Sequence, residues 1–274
     1  MEGHGRLTPN GRVQRALPLL DARLGGPSER FACRLRGRHP AAVFCAAIFA
    51  GLTVLVLIGI ALGLLVTDVL LPTGGLARTD ESAVRSLVAE RTPVLTDVSD
   101  VGSALGGAPL LPILVGLIAL VCARLRQWRI AAFAVFVLAV ESATYRVTSL
   151  VVPRERPEVT RLDDLPANAS FPSGHTAASV AVYVGLALLI TSRFPHRGVR
   201  LLAWAVAILV PVCVASARMY RGMHHPLDVA GGLLIGSGAL LVILFACRAA
   251  GVAHQVRSPQ TARVATTRRA QPAA

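Results

Sequence analysis

Three polar segments interrupt an otherwise apolar sequence, and their residue types suit phosphate chemistry. The segments are Pro153-Arg154-Glu155-Arg156-Pro157, Phe171-Pro172-Ser173-Gly174-His175 and the stretch from Ala217 to Asp228. They contain two candidate imidazoles, a carboxylate that follows one of them, and guanidinium groups, whose planar donor forks match phosphate oxygens. Such a set can perform nucleophilic and acid–base chemistry on a phosphate group.

The third segment places a histidine just ahead of a predicted helix. Pro226 is typical of a first helical position, so His224 precedes a helix N-terminus. The positive end of the helix dipole disfavours imidazolium and favours a neutral, nucleophilic ring. Asp228 follows by about one turn, and we expect it to accept a proton from one ring nitrogen of His224 and expose the other. We predict that His224 is the nucleophile, and that its neighbour His225 is a solvated interfacial side chain.

The second segment has the features of a phosphate-binding helix start. Ser173 is a natural N-cap, and Gly174 lets the backbone approach a ligand closely. The free amides of such a terminus bind phosphate. His175 is a candidate acid, and Arg156 and Arg218 are candidate phosphate-binding forks. The sequence has no cluster with metal-ligand spacing, so we expect neither a metal nor another cofactor.

These residues resemble the signature of the type 2 phosphatidic acid phosphatase superfamily, in its membrane lipid phosphatase branch. The family's Pro-Ser-Gly-His is complete at Pro172 to His175. Its Ser-Arg, five residues, His, three residues, Asp matches at Arg218, His224 and Asp228, with Ala217 in place of Ser. The family's soluble haloperoxidase branch is disfavoured, because here the segments adjoin predicted spans.

The first part of the family signature, Lys, six residues, Arg-Pro, is incomplete. Only Arg156-Pro157 remains, and Ser149 stands at the lysine position of a chain that has no lysine at all. We predict that an arginine replaces this cation, with Arg146, three residues earlier, favoured over Arg154.

The resemblance implies a mechanism and a substrate class. In the implied mechanism, His224 attacks phosphorus, Asp228 holds the His224 ring, and His175 protonates the leaving oxygen. The implied phosphate-binding residues are Arg156, Arg218, Ser173 and Gly174. Water then hydrolyses the phosphohistidine without a metal. The expected partner is a lipid phosphate in the bilayer, such as phosphatidic acid, phosphatidylglycerol phosphate, diacylglycerol diphosphate or polyprenyl diphosphate. Two alternatives remain open: phosphotransfer to an alcohol, or a catalytically impaired lipid-binding or transport protein.

Composition indicates which elements position these segments. The chain is 54% hydrophobic and 16% charged, with a mean hydropathy of +0.60, which is typical of a membrane protein. We predict an all-α, six-span transmembrane helical bundle. The predicted spans are Ala41–Val66, Leu105–Val121, Ile130–Val152, Thr176–Ile190, Leu201–Ala215 and Val229–Cys247.

The sequence has a net charge of +13, and its basic residues are concentrated in alternate connections between the predicted spans. Arginines concentrate at the two termini and in the connections around residues 124–129 and 193–200, whereas the other connections contain most of the acids. By the positive-inside rule, both termini are cytoplasmic, and the three polar segments face outward from a plasma membrane. Because the basic residues form no single patch, we do not expect nucleic-acid binding. The sequence leaves the oligomeric state open.

Three further expectations concern organisation. Residues 1–40 and 249–274 are predicted to be mobile basic tails around one domain at 41–248. Thr79–Val98 is predicted to be one amphipathic helix on the outer surface, with a cap around Thr79. Gly231, Gly232 and Gly236 are predicted to permit close helix contact.

Overall fold

The structure is a computed structural model that describes residues 6–7, 13–14 and 17–257. This part of the chain is mostly helical, and two-residue strands β1 (Arg6–Leu7) and β2 (Val13–Gln14) pair antiparallel near its start. The helices are α1 (Pro27–Arg34), α2 (Pro40–Leu64), α3 (Gly75–Ala89), α4 (Pro93–Ala104), α5 (Leu110–Arg124), α6 (Trp128–Val151), α7 (Gly174–Ser179), α8 (Gly185–Arg193), α9 (Arg197–Tyr220) and α10 (Pro226–Arg257).

Five helical segments of the described chain are long and apolar enough to cross a membrane. They are Pro40–Thr73, Trp128–Val151, Gly174–Arg193, Arg197–Tyr220 and Pro226–Arg257. The first extends α2 through a π-helical and a 3-10 turn, and the third joins α7 to α8 through the π-helical turn Val180–Val184. The remaining predicted span, Leu105–Val121, corresponds to the shorter apolar helix α5, which begins at Leu110 rather than Leu105 and has 15 residues.

Helix α10 lies at the centre of the bundle, where it packs on α2, α6 and α7. Its glycines make this packing possible. A Cβ at Gly231 would lie 2.5 Å from the Phe171 ring, one at Gly232 would lie 2.6 Å from the Ser173 carbonyl oxygen, and one at Gly236 would overlap the Ala177 carbonyl. The prediction of close helix contact at these positions is therefore confirmed. The contact presses the first turn of α7 onto the first turns of α10.

The prediction of one surface helix over Thr79–Val98 is wrong, because α3 and α4 are separate helices. Helix α3 begins at Gly75, so Thr79 lies in its interior. Helix α4 begins at Pro93, and the Thr92 hydroxyl caps it by accepting a hydrogen bond from the Leu95 amide at 3.2 Å. Both helices pack against α9, at the end of the bundle where the polar segments lie.

Part of the predicted N-terminal tail packs against the bundle. Leu20 is fully buried in a cluster with residues of α6, α8 and α10, and Phe31 of α1 meets Phe245 edge to face at 5.3 Å. Helix α10 extends to Arg257, past the predicted domain boundary. The rest of the two predicted tails, residues 1–5, 8–12, 15–16 and 258–274, lies outside the described residues.

Candidate active site

The three polar segments meet at one end of the bundle. The Ser173 amide donates to the Asp228 carbonyl at 2.9 Å, which joins the second segment to the third. The Arg156 guanidinium donates to the Met223 carbonyl at 2.5 Å, which joins the first to the third. The three segments therefore converge in the fold.

His224 is held with one ring nitrogen free. Its Nδ1 lies 2.8 Å from the Ser170 carbonyl oxygen. Because a carbonyl only accepts hydrogen bonds, Nδ1 carries the proton and Nε2 keeps a free lone pair. Burial lowers the pKa of His224 to about 4 against the opposing effect of Asp228, so the ring is neutral near pH 7. A neutral imidazole with a free Nε2 is a competent nucleophile.

Asp228 supports this ring through charge, whereas we expected a direct hydrogen bond. Its Oδ2 lies 3.7 Å from Nδ1 of His224, which is too long for a hydrogen bond. That oxygen already accepts from the Ser170 hydroxyl at 2.6 Å and from the His225 amide at 2.8 Å. The second contact is the return half of a capping box at the start of α10. The Ser170 carbonyl therefore orients His224, and fully buried Asp228 supplies a fixed negative charge beside it.

Arg154 links Asp228 to helix α3. Its Nη1 forms an ion pair with Asp228 Oδ1 at 2.5 Å, but the two atoms are not aligned for a hydrogen bond. Its Nη2 is hydrogen bonded to Asp80, which also accepts from the Leu227 amide at 3.0 Å. Asp80 thus caps α10 rather than its own helix. In this buried triad of Asp80, Arg154 and Asp228, the charge of Arg154 offsets the two carboxylates behind His224.

The expectation that His225 is solvated is wrong. Its ring is buried between Glu81 Oε2, 3.1 Å from Nε2, and Asp228 Oδ2, 3.4 Å from Nδ1. Burial by itself lowers the pKa of His225, but the hydrogen bond and charge of Asp228 outweigh it and leave the pKa raised. His225 therefore joins α3 to the start of α10.

Arg218 presents an unpaired edge to the site. It is 1% exposed, and its Nη1 donates to the Ser103 hydroxyl at 2.8 Å and to Asp163 at 2.6 Å. Its Nε and Nη2 are buried without a hydrogen-bond partner among the described residues. Burial raises the pKa of Asp163, but Arg221 and Arg218 outweigh burial and hold it below its usual value, so this carboxylate is ionised. A buried anchor on one side and two unused donors on the other are what an anion-binding guanidinium requires.

Arg156 is buried, but its hydrogen bonds go to the backbone. It donates to the carbonyls of Pro166 at 2.8 Å, Met223 at 2.5 Å and Ala169 at 3.0 Å. These bonds tie the loop between α6 and α7 to the His224 segment. A guanidinium has five N–H donors, so two remain for a ligand.

The Ser173–His175 turn forms another wall of the site. Ser173 occupies the N-cap position of α7 as predicted, but its hydroxyl pairs with the Thr176 hydroxyl at 2.9 Å instead of capping the helix. A Cβ at Gly174 would lie 3.0 Å from the Tyr145 ring. The His175 Nε2 lies 2.7 Å from where a Gly107 Cβ would be, and the ring is within electrostatic reach of Arg218 and His224.

The structure does not bring Arg146 to the site. Its side chain is exposed, and the Ser149 hydroxyl donates to the Arg146 carbonyl at 3.1 Å. With about 100° per helical residue, Arg146 lies roughly 160° around α6 from buried Thr148 and points away from the bundle. Arg154 is the arginine nearer to His224, which reverses our order of preference, but both of its terminal nitrogens face carboxylates.

Several polar groups of the site were not predicted from the sequence. They are the Ser170 carbonyl, Asp80, Glu81, Ser103, Tyr145 and Asp163. The acidic composition of the outer connections was the only signal for Asp80, Glu81 and Asp163, and it gave no partner for any of them. Among the described residues, no group of three or more His, Cys, Asp or Glu is placed to hold a metal ion.

Comparison with known proteins agrees with this geometry. Residues 130–250 match the model of the PAP2 superfamily, and this range contains all three polar segments. Phosphatidylglycerophosphatase B of Bacillus subtilis is 26% identical over 166 residues, which cover 60% of this chain and 81% of that protein. Undecaprenyl-diphosphatase of Sulfolobus acidocaldarius is 38% identical over 76 residues, covering 28% of this chain and 32% of that protein.

The fold is also similar to a solved structure. The crystal structure of a transmembrane PAP2-type phosphatidylglycerolphosphate phosphatase from Bacillus subtilis superposes with a TM-score of 0.61, at 24% identity. The match covers 70% of this chain and 93% of that one. The match to the PAP2 superfamily model is confined to residues 130–250, and the three ordered segments within that range are joined in one site.

Proposed function

We propose that this protein is an integral membrane phosphatase that hydrolyses a lipid phosphate or diphosphate through a phosphohistidine on His224. The unpaired Nε and Nη2 of Arg218 carry the proposal. Leaving a buried donor unsatisfied costs about 1–3 kcal/mol, more for a charged group, so two such atoms in one side chain call for a ligand. A phosphate group offers the matching pair of acceptor oxygens.

The proposed first step is transfer of the phosphoryl group to the protein. Nε2 of His224 attacks phosphorus while the bond to the leaving oxygen breaks, and His175, once protonated, donates its proton to that oxygen. The ring of His224 becomes cationic, and the charge of Asp228 stabilises it. Arg218, Arg156, Ser173 and the amide of Gly174 hold the equatorial oxygens, on which negative charge lies in the transition state.

The second step returns the protein to its starting state. Water attacks the phosphohistidine, the P–N bond breaks, and Nε2 recovers its lone pair. His175, which lost its proton in the first step, accepts one from the attacking water. The products are inorganic phosphate and the dephosphorylated lipid.

The orientation that we propose has six spans, cytoplasmic termini and a site facing outward from the plasma membrane. Arg124, Arg126, Arg193, Arg197 and Arg248 lie at the end of the bundle opposite the site. Positive charge favours the cytoplasmic side, which supports the outward position of the site. Helix α5, at about 22 Å, is then the shortest of the six spans.

The proposed substrates are membrane lipids with a terminal phosphate. The site lies at the ends of α6, α7, α9 and α10, so a head group reaches it from the interface while the hydrocarbon chain stays in the bilayer. The names of the relatives cover phosphatidylglycerophosphate and undecaprenyl diphosphate. Both belong to this class.

Phosphate release from detergent-solubilised protein tests the proposal. Phosphatidic acid, phosphatidylglycerol phosphate and a polyprenyl diphosphate are supplied separately, with His224→Ala as the inactive variant and His196→Ala as a matched remote control. We expect release by the wild type and by His196→Ala, and loss with His224→Ala. A radiolabelled phosphate group should appear on the wild-type protein as an acid-labile, alkali-stable adduct. Equal release by the wild type and His224→Ala would refute the nucleophile.

The same assay separates the alternatives. Transfer of the label to an added alcohol in preference to water would indicate a phosphotransferase. Lipid phosphate binding without release would indicate an impaired enzyme or a transport protein.

A further inference from the structure

The geometry points to Tyr145 as a further substrate-binding residue, whose hydroxyl donates a hydrogen bond to the phosphate group that Arg218 holds. This inference rests on the proposed function. Tyr145 belongs to none of the three polar segments, and its position follows from the packing of α6 against the Ser173–His175 turn.

Tyr145 lies on the side of α6 that faces the site. With about 100° per residue, it lies roughly 60° from buried Thr148 and roughly 40° from Ser149. Tyr145 and Ser149 are one turn apart and share a face of the helix. A side chain at Tyr145 therefore lies close to the position where the sequence has Ser149 instead of lysine.

The Tyr145 ring lies directly against the phosphate-binding turn. A Cβ at Gly174 would lie 3.0 Å from Cδ2 and Cε2 and 3.1 Å from Cζ, the carbon that bears the hydroxyl. The absence of a side chain at Gly174 is what admits the ring. The phenol thus lies beside the backbone that connects Ser173 to His175.

The Tyr145 hydroxyl is unused within the described structure. The chain has three tyrosines. Tyr183 donates to the Leu105 carbonyl at 3.1 Å, and the Tyr220 hydroxyl accepts from the Thr92 amide at 3.1 Å. Among the described residues, no group forms a hydrogen bond with the Tyr145 hydroxyl, although it is within electrostatic reach of both Arg156 and Arg218. An unpaired donor within electrostatic reach of two guanidinium groups is available to the anion that they attract.

A phenol suits this place chemically. It is a neutral donor that can hydrogen bond to an anionic oxygen, and such charge-assisted bonds are about twice as strong as neutral ones. Its ring is fixed by Gly174, so the donor is already oriented when the phosphate arrives. The hydroxyl compensates in part for the lysine that the chain lacks at Ser149.

Tyr145→Phe tests the role, because it removes the hydroxyl and keeps the ring against Gly174. We expect kcat/KM for lipid phosphate to fall by about 10- to 100-fold, the loss typical of one hydrogen bond to a charged group. Vanadate, which mimics pentacoordinate phosphorus, should bind more weakly by a similar factor. The matched control is Tyr183→Phe, which removes a hydroxyl bonded to a carbonyl outside the site and should leave both quantities within about twofold.

A second variant separates binding from structural effects. Adding Ser149→Lys to Tyr145→Phe should recover much of the lost vanadate affinity, because the ammonium group enters the same face one turn away. Unchanged kcat/KM and vanadate affinity in Tyr145→Phe would overturn the inference, as would a loss of kcat/KM with unchanged vanadate affinity. If the wild type releases no phosphate, the proposed function fails, and calorimetric titration with vanadate still tests Tyr145.

Discussion

Replacing Asp228 with asparagine measures how much the buried negative charge contributes to catalysis. The amide side chain would retain an oxygen to accept from the Ser170 hydroxyl and the His225 amide, so the start of α10 should keep its geometry. The substitution removes the charge beside the His224 ring, and it also places an amide nitrogen where Asp228 Oδ1 now pairs with Arg154. That charge matters most when the ring becomes cationic on attacking phosphorus.

The magnitude follows from the distance between the two groups. At 3.7 Å, two unit charges interact by about 4.5 kcal/mol with an effective dielectric constant of about 20. Arg154, 2.5 Å from the other carboxylate oxygen, offsets part of this field. We take about 3 kcal/mol as the stabilisation that remains, which corresponds to a roughly 150-fold loss of kcat.

Single-turnover phosphate release at saturating substrate is the appropriate assay. KM should change little, because the contacts of Asp228 go to Ser170, His225 and Arg154 rather than to Arg218. Asp97→Asn, an exposed substitution on α4, is the matched control and should keep wild-type kcat. A kcat for Asp228→Asn within about threefold of wild type would show that the charge is not used in the transition state.

Four further predictions follow from the site. Asp163→Asn should raise KM by about tenfold while the protein stays folded, because Arg218 loses the charged anchor on its Nη1; unchanged KM would refute this positioning. Because burial lowers the pKa of His224 to about 4, the acid limb of kcat/KM should lie near pH 4, with activity present above it and lost below; a limb at about pH 6.5 would contradict a buried neutral ring. Gly232→Ala should reduce phosphate release at least tenfold, because its Cβ would lie 2.6 Å from the Ser173 carbonyl and displace the α7 turn; wild-type release would show that the turn tolerates displacement. Activity should survive excess chelator, and loss with rescue by Mg²⁺ would contradict a metal-free reaction.

Local sequence signals were sufficient to locate the elements of the site. Pro226 marked the first residue of α10, and Ser173 marked the N-cap of α7. Gly232 marked the contact between these two helices. Each of these signals acts within a few residues of the feature that it predicts, through backbone dihedral angles or the lack of a side chain.

Contacts between residues distant in sequence were not predictable in this way. The partner of the His224 ring is a backbone carbonyl, and any residue type could have supplied it. Asp80 meets Arg154 across 74 positions of the chain, and nothing in the local sequence of α3 identifies that partner. The division between α3 and α4 is different, because Thr92 and Pro93 form a recognisable helix start. That error came from giving the amphipathic pattern more weight than the cap.

The distribution of charge around the site explains which of its arginines are free to bind an anion. Arg154 is compensated by Asp80 and Asp228, and Arg221 lies 2.5 Å from Asp163. A buried arginine that lacked its acidic partner would carry an uncompensated charge. Such an arginine would attract an anion to its own position rather than to His224. Arg218 keeps its Nε and Nη2 edge unpaired. Arg156 donates to three backbone carbonyls and has no carboxylate partner among the described residues, so its charge is also available to an anion. We therefore expect an incoming phosphate to be held by Arg218 and Arg156, where the proposed transfer to His224 would take place.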